Sequence, residues 1–288
     1  MNRTALDQYE EIVTDALKSC SAKLRKSFKT AFIQIMILYM ILPRKINFTQ
    51  MGRYSDSSEQ RFRQLFEREF DWMQFNLFLM RQRFGESVRK AIAIDASYIS
   101  KSGKKTPYIG KFWSGCASQV KRGLEILGIG IIDIDSRDCM MLRAEQTPDK
   151  AYLEKQGEDY NLVDWYLDVL RKYKDKLLRI TRYVVADAWF SKAKFVGEAC
   201  LLGFHVISRL RDDAALWYAH DGVRTGKRGR PRIKGEKIDF ENLDLQRCEI
   251  LDIEGGRAYS VKAYSKAMKR NIKVVVHYPE SGGHKIYF

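Results

Sequence analysis

The sequence predicts an α/β fold: a mixed β-sheet that follows a small all-α N-terminal domain and carries a β-rich insertion. Glycine is rare in residues 1–88, and the apolar run 31–42 ends at Pro43, which is typical of helices. Residues 182–208 have the pattern of strand, helix and strand, which at this length forms a parallel crossover. Residues 212–260 are instead rich in glycine, arginine and lysine, with short β-like pieces, which predicts an insertion projecting from the sheet.

These changes in residue composition and apolar spacing predict four segments. They are a helical domain at 1–88, an α/β core at 89–211, a basic β-rich insertion at 212–270 and the start of the remaining core at 271–288. The last predicted strand, 271–278, is followed by no closing helix, so we expect the core to be incomplete.

The elements of the core follow from apolar spacing and turn residues. They are a strand at 91–95, a hairpin of 125–135 and 138–143, a helix after Asn161 reaching 177, a strand at 182–187, a helix at 192–202 that Gly203 ends, and a strand at 204–208. Asn161 is a good N-cap residue.

The charge balance predicts a polyanionic partner. The 288 residues carry a formal net charge of +15, from 51 Lys+Arg against 36 Asp+Glu. Such an excess most often indicates nucleic acid, the alternative being a soluble protein that is merely basic. No P-loop, nucleophile elbow or histidine spacing for zinc occurs.

The sequence predicts a cytoplasmic protein that is not associated with a membrane. Five scattered cysteines without a C-x-x-C pair indicate reduced thiols. Acidic residues interrupt the N-terminus, which excludes a signal peptide. The apolar run 31–42 is shorter than the ~20 residues that a membrane span needs.

A possible helix-turn-helix lies near the end of the helical domain. A short helix at 47–52 leads into a turn at 52–56 and a second helix that serine or aspartate would cap. The polar side of that second helix would carry Gln60, Arg61, Gln64 and Arg68. Its Arg61 side would then face a DNA groove, although a plain helical bundle explains the pattern equally well.

Two aspartates carry the chemical prediction. Asp95 follows the apolar residues 91–94, and Asp187 follows 183–186. Carboxylates at the ends of neighbouring strands can bind Mg²⁺ (or Mn²⁺) for in-line displacement on a phosphodiester. Strands also end in aspartate because it suits turns; for the pair, given the basic sequence around it, we favour the metal site.

A basic block follows Asp95. Residues 101–122 contain six basic residues and no acidic ones. The residues expected to contact DNA are Lys101, Lys104, Lys105, Lys111 and Trp113. Lysines interleaved with aromatic side chains suit phosphate neutralisation and base stacking, the alternative being a solvated loop with its aromatics packed inward.

A second basic block spans 224–234. Its candidate DNA-binding residues are Lys227, Arg228, Arg230 and Arg232. Such a segment can lie in a minor groove. A disordered solubilising loop is the alternative.

Five blocks of this sequence resemble the DDE transposases. They are Ile-Asp-Ala-Ser-Tyr-Ile at 94–99 with the following Lys-Ser-Gly-Lys-Lys-Thr, Phe-Trp-Ser-Gly-Cys at 112–116, Val-Val-Ala-Asp-Ala-Trp-Phe at 184–190, Ile-Ser-Arg-Leu-Arg-Asp at 207–212 and Gly-Lys-Arg-Gly-Arg-Pro-Arg at 226–232. By this resemblance, over about 89–288, the chain is identified as a member of the bacterial insertion-sequence transposases of the IS-four-like group.

The resemblance implies a ribonuclease H-like catalytic domain, Mg²⁺ (or Mn²⁺) dependence and cut-and-paste DNA transposition. It assigns the first and second metal-ligand roles to Asp95 and Asp187. Arg209 and Arg211, in the fourth block, are expected to contact DNA. The implied partners are the terminal inverted repeats of a transposon and target DNA, and synapsis of two ends favours a homodimer.

The chain departs from the family at the third ligand, a glutamate in a Tyr-x-x-Arg-x-x-x-Glu-x-x-x-x-x-x-Lys signature. None of the 15 tyrosines here has an arginine three positions later. We therefore expect a C-terminally truncated transposase that is inactive alone. A metal-dependent nuclease of the same fold and a DNA-binding regulator of transposition remain the alternatives.

Overall fold

The computed structural model describes residues 4–20, 24–43, 46–85, 89–103, 105–220, 222 and 233–288. Within these ranges the chain forms eight α-helices and two β-sheets. It divides into two compact units. Unit 1 comprises Met1–Val88 and Met140–Arg143, and unit 2 comprises Arg89–Cys139 and Ala144–Phe288.

Unit 1 contains five helices. They are α1 (Ala5–Ser19), α2 (Lys26–Ile41), α3 (Phe48–Arg53), α4 (Glu59–Phe66) and α5 (Trp72–Phe84). A capping box starts α1: Thr4 accepts a hydrogen bond from the Asp7 amide, and the Asp7 carboxylate accepts one from the Thr4 amide. Burial of apolar side chains from α1, α2 and α5 forms one core cluster, whose buried members are Val13, Ala16, Leu17, Phe28, Phe32 and Phe75.

Helices α3 and α4 occupy the segment where the sequence indicates a helix-turn-helix. Ser58 caps α4 by accepting a hydrogen bond from the Arg61 amide. The two helices approach closely at Gly52, where a Cβ atom would lie 3.0 Å from the backbone nitrogen of Glu59. The Thr49 hydroxyl donates to the Glu59 carboxylate at 2.9 Å, and Phe62 is fully buried. These contacts fix the angle between the two helices and leave Arg61 exposed.

The first sheet of unit 2 is mixed. Its strands are β1 (Lys90–Ser100), β2 (Gly110–Ser114), β3 (Gln119–Asp133), β4 (Asp138–Gln146), β5 (Tyr183–Ala186) and β6 (His205–Ile207). The order is β2-β3-β1-β5-β6, and β4 also pairs with β3. The β1–β3 pair is antiparallel, whereas β1–β5 and β5–β6 are parallel.

Three helices belong to the same unit. They are α6 (Lys150–Gln156), α7 (Leu162–Leu178) and α8 (Ala193–Leu201). A capping box between Asn161 and Asp164 starts α7, so the predicted N-cap is the one observed. Helix α8 joins β5 to β6 and ends before Gly203, whose φ of 99° is left-handed and therefore suits glycine.

The second sheet of unit 2 is built from the last third of the chain. Its strands are β7 (Arg209–Leu210), β8 (Leu216–Ala219), β9 (Lys234–Lys237), β10 (Glu249–Leu251), β11 (Gly256–Ser265), β12 (Arg270–Pro279) and β13 (Lys285–Tyr287). The order is β7-β13-β12-β11-β8-β9, with β10 on β11. The long β11–β12 hairpin is antiparallel over its whole length.

Residues 271–288, which the sequence assigned to the start of the remaining core, belong to the second sheet. They form most of β12 and all of β13, both within the second sheet. The physical reason is the hairpin: a turn at 266–269 brings β12 back onto β11, so β12 pairs with the segment before it.

Gly123 in β3 tolerates no side chain. A Cβ atom there would lie 2.4 Å from the backbone oxygen of Ile99 and 2.6 Å from the Tyr98 ring. We expect Gly123→Ala to lower the free energy of unfolding by about 1–3 kcal/mol because of overpacking. Gly115→Ala is the control, since its Cβ would meet nothing within 4 Å. Urea denaturation measures both, and equal stability of the two variants would contradict this prediction.

Candidate metal and nucleic-acid site

Asp95 lies within a strand and not at its end, which corrects the sequence-based expectation. β1 continues five residues beyond Asp95 to Ser100. The long strand β3 supplies backbone partners throughout, with Asp95 opposite Gly128 and Ser100 opposite Gly123. Because these pairs satisfy the backbone of the polar residues 95–100, the strand does not stop where the apolar residues stop.

Asp187 lies beside Asp95. The parallel register pairs Ile94 of β1 with Ala186 of β5. Asp95 directly follows Ile94 and Asp187 directly follows Ala186, so the two aspartates are neighbours. Asp187 also caps the short 3₁₀ turn Ala188–Phe190, because its Oδ1 accepts a hydrogen bond from the Trp189 amide at 3.0 Å. The alignment of β1 with β5 therefore explains why the two aspartates are adjacent.

Ser208 fixes the Asp187 backbone from the other side. Its hydroxyl, on a residue only 2% exposed, donates to the Asp187 carbonyl oxygen at 2.7 Å. The Ser208 amide donates to the Phe288 carbonyl, and the Phe288 amide donates back. Sequence reasoning placed Ser208 in a motif without giving it this role.

The electrostatics show that the two carboxylates interact. Burial raises the pKa of Asp95 above its ordinary value, and the negative charge of Asp187 raises it further. Burial lowers the pKa of the nearby Lys192 ammonium, while the charge of Asp187 opposes that shift. The Lys192 ammonium lies 3.2 Å from the centre of the Trp189 ring, a cation–π contact.

A cleft of about 500 Å³ contains both aspartates. Its lining is Asp95, Ala96, Lys111, Phe112, Trp113, Glu125, Leu162, Tyr166, Asp187, Trp189 and Phe190. Two of the predicted DNA-binding residues, Lys111 and Trp113, therefore share the cleft with the aspartates. Trp113 is 60% exposed, which leaves most of its ring free to contact a ligand.

The basic block that holds these residues is partly a β-ribbon. Strand β2 pairs with the start of β3, placing Lys111 opposite Arg122 and Trp113 opposite Val120. Residues opposite each other in an antiparallel pair share a face, so this exposed face combines two cations with an indole. Sequence analysis expected DNA contact from this block but did not predict its two strands.

Five of the other predicted DNA-binding residues have described positions, and all five lie outside the cleft lining. Lys101 and Lys105 are exposed between β1 and β2, and Arg61 is exposed on α4 of unit 1. Arg209 donates to Asp212 at 2.9 Å, and Arg211 donates to Asp213 at 3.0 Å. Outside the described residues lie Lys104, Lys227, Arg228, Arg230 and Arg232.

Glu125 is a third carboxylate in the cleft that sequence reasoning missed. It lies on β3, is only 7% exposed and accepts a hydrogen bond from the Tyr166 hydroxyl at 2.6 Å. A signal was present: Glu125 alternates in phase with the core residues Leu127, Ile129 and Ile131. An acidic residue at an inward position of a strand indicates a functional or structural polar contact.

The residues fit one divalent ion held by Asp95 and Asp187. Mg²⁺ often takes one or two protein carboxylates and completes its shell with waters and substrate phosphates. An ion between the two aspartates would relieve the repulsion that raises the pKa of Asp95. Among the residues with described positions, no three acidic, histidine or cysteine side chains come together in a way that could hold a metal.

Adjacent carboxylates, a basic ribbon and exposed indoles around one cleft define a site suited to phosphodiesters. The family model for the DDE superfamily endonucleases matches residues 30–251, and the chain belongs to this family. Membership implies nuclease- or transposase-type chemistry on DNA, and enzymes of this superfamily typically use divalent metals. No curated protein matches the chain. In the described part of the chain, no helix has both the length and the apolar character that a membrane crossing requires.

Proposed function

We propose that this protein is a transposase of the IS-four-like group, which binds the terminal inverted repeats of a transposon and carries out cut-and-paste transposition. The observation that carries the proposal is the parallel register that sets Asp95 beside Asp187, in one cleft with Lys111 and Trp113. The mixed sheet of β1 to β6 supports a ribonuclease H-like core. Such a protein would act at the bacterial nucleoid, as a homodimer that joins two transposon ends.

Each side chain has a part in this function. Asp95 and Asp187 hold Mg²⁺ or Mn²⁺, which when bound acts as a Lewis acid on the phosphoryl group. The Trp189 amide orients the Asp187 carboxylate. Lys111 neutralises a backbone phosphate, and Trp113 stacks on a base beside it. Arg61 on α4 contacts DNA at a second place on the chain.

A DNA-binding regulator of transposition is the second candidate. It is favoured by the finding that the described residues bring no third carboxylate, histidine or cysteine into a common metal site with the two aspartates. Two carboxylates bind Mg²⁺ weakly and fix a second ion poorly. We therefore expect strand cleavage by residues 1–288 to be slow compared with DNA binding.

One experiment separates the candidates. DNA ends are first selected from a random-sequence duplex pool by repeated binding to the full chain. The selected duplexes, with free 3′-hydroxyl ends, are then incubated with a supercoiled plasmid in MgCl₂, MnCl₂ or EDTA. Metal-dependent joined product supports a transposase, cleavage without joining supports a nuclease, and binding alone supports a regulator. Failure to select any sequence would contradict both DNA-binding proposals.

Trp113 gives a sharper prediction for the DNA contact. We expect Trp113→Leu to weaken binding of a duplex with a single-stranded overhang by about tenfold, since base–aromatic stacking contributes about 1–3 kcal/mol. Trp113→Phe keeps an aromatic ring and should stay within about threefold of the unmodified protein. Fluorescence anisotropy at fixed salt measures both variants. Equal affinities of the leucine variant and the unmodified protein would exclude stacking.

A further inference from the structure

Glu125 is a buried carboxylate that forms no ion pair with the residues that the structure describes. Its side chain takes part in none of the ion pairs formed there, and its one side-chain hydrogen bond comes from the Tyr166 hydroxyl. Burying a charged group is costly unless hydrogen bonds or charges compensate it. A buried carboxylate that lines the same cleft as Asp95 and Asp187 therefore calls for a role at the site.

Tyr166 is held in one orientation by this bond. The residue is 1% exposed on α7, and its hydroxyl donates to Glu125 at 2.6 Å. Burial and the negative charge of Glu125 both raise the pKa of the Tyr166 phenol, so it keeps its proton and stays a donor. The hydrogen bond joins α7 to β3 across 41 residues of sequence.

The Tyr166 ring supports the turn that follows Asp187. Its centre lies 5.5 Å from the Trp189 ring and 5.3 Å from the Phe190 ring. Trp189 and Phe190 are the last two residues of the 3₁₀ turn Ala188–Phe190. The Trp189 amide donates to the Asp187 carboxylate, and the Phe190 amide donates to the Asp187 carbonyl oxygen. A shift of the Tyr166 ring would move this turn and the carboxylate with it.

We propose that Glu125 and Tyr166 are positioning residues that set the orientation of the Asp187 carboxylate for metal binding. The inference rests on the proposed function, because it assumes that Asp95 and Asp187 hold the ion. Neither residue touches the ion: Glu125 fixes the Tyr166 hydroxyl, and the Tyr166 ring fixes the 188–190 turn. Outer residues of this kind typically change metal affinity about 10–100-fold when they are replaced.

The test is Mn²⁺ binding by the full chain, measured by electron paramagnetic resonance. Tyr166→Phe removes the hydrogen bond and keeps the ring, and we expect it to raise the Kd for Mn²⁺ about tenfold. Glu125→Gln keeps an oxygen acceptor for the phenol, so its Kd for Mn²⁺ should stay within about threefold of that of the unmodified protein. Glu125→Leu removes the acceptor and should match Tyr166→Phe. The double variant Tyr166→Phe with Glu125→Leu should be no weaker than either single one.

The matched control is Tyr173→Phe. Tyr173 lies on the same helix, and its hydroxyl likewise donates to a glutamate, Glu145, on a strand of the same sheet. Neither Tyr173 nor Glu145 lines the cleft. We expect its Kd for Mn²⁺ to be unchanged, although its thermal midpoint should fall as much as that of Tyr166→Phe.

The outcomes separate this inference from the proposed function. If the unmodified protein binds Mn²⁺ and Asp187→Asn does not, the proposed metal site is supported. Unchanged affinity in Tyr166→Phe, or an equal loss in Tyr173→Phe, would then overturn the positioning role alone. Weaker binding by Glu125→Gln than by Tyr166→Phe would also overturn it, by showing that the charge matters and not the hydrogen bond. Absence of Mn²⁺ binding in the unmodified protein would refute the metal site and this inference with it.

Discussion

Asp187→Asn is expected to abolish Mn²⁺ binding in the cleft and to lower any metal-dependent strand cleavage by about 100-fold or more, beyond the loss typical of outer residues. Asparagine keeps the size of the side chain and an oxygen that can accept the Trp189 amide. It loses the negative charge, which is what a hard divalent cation requires. Asp95→Asn should have the same effect, since both carboxylates would contact the ion in the proposed site.

The measurements are Mn²⁺ titration by electron paramagnetic resonance and cleavage of the selected duplexes. The matched control is Asp149→Asn. Asp149 is an aspartate of unit 2 outside the cleft lining, and it caps α6 by accepting the Tyr152 amide at 2.9 Å. Asparagine caps helices equally well, so this variant should fold, bind metal and cleave as before. Retention of Mn²⁺ affinity in both Asp95→Asn and Asp187→Asn would refute the metal site.

The same Asp95→Asn variant should be more stable than the unmodified protein at neutral pH. The folded state holds the Asp95 proton more tightly than the unfolded chain does, because burial and Asp187 raise its pKa. The ionised side chain therefore destabilises the fold above the folded-state pKa, and the cost disappears below the unfolded-state pKa. The gain in thermal midpoint should be present at pH 7 and vanish near pH 3. A rise in stability with loss of metal binding would mark Asp95 as a residue kept for function.

The pairing of the two aspartates could be predicted from the sequence because each follows an apolar strand. What the sequence lacked was the register that sets them side by side, since this depends on how β1 and β5 align. It also misplaced the end of β1, because polar residues after Asp95 resemble a loop until the partner β3 is known. Local patterns thus identified the two candidate ligands, and tertiary pairing sets their geometry.

Glu125 shows a different limit. Its position in phase with core residues was visible, but periodicity alone does not tell a buried polar contact from a register shift. Its partner Tyr166 is 41 residues away and reads as an ordinary core position of a helix. The carboxylate–phenol pair is therefore a property of the packed fold, and no short motif encodes it.

The second sheet was underpredicted for a similar reason. Strands β11 and β12 form a ten-residue ladder, but β11 contains polar residues that interrupt its apolar pattern. The basic ribbon of β2 and β3 was hidden by its lysines and glycines in the same way. The exposed face of the ribbon tolerates charge, whereas β11 carries the buried polar residues Ser260 and Ser265; in both cases hydropathy fell below the level that indicates a strand.

Phe75→Ala is expected to destabilise unit 1 by about 3–5 kcal/mol, the range for deleting a buried phenylalanine. Phe75 is 1% exposed on α5, and its ring lies 5.3 Å from the Phe32 ring and 5.7 Å from the Phe70 ring. Aromatic pairs of this kind stabilise beyond the area they bury. The cluster joins three helices, so a cavity here removes contacts from all of them.

Hydrogen exchange of peptides within α2 measures this effect, because these amides exchange through unfolding of the helices they belong to. The control is Ile12→Ala on α1 of the same unit, a side chain that is 51% exposed, for which we expect a change within about 0.5 kcal/mol. If Phe75→Ala left α2 as protected as Ile12→Ala does, the aromatic cluster could not be what holds unit 1 together. Because Leu65 of α4 packs against this cluster and also against the cluster of Leu38, Met51 and Phe62, we expect any DNA contact made by Arg61 to weaken as unit 1 loses its packing.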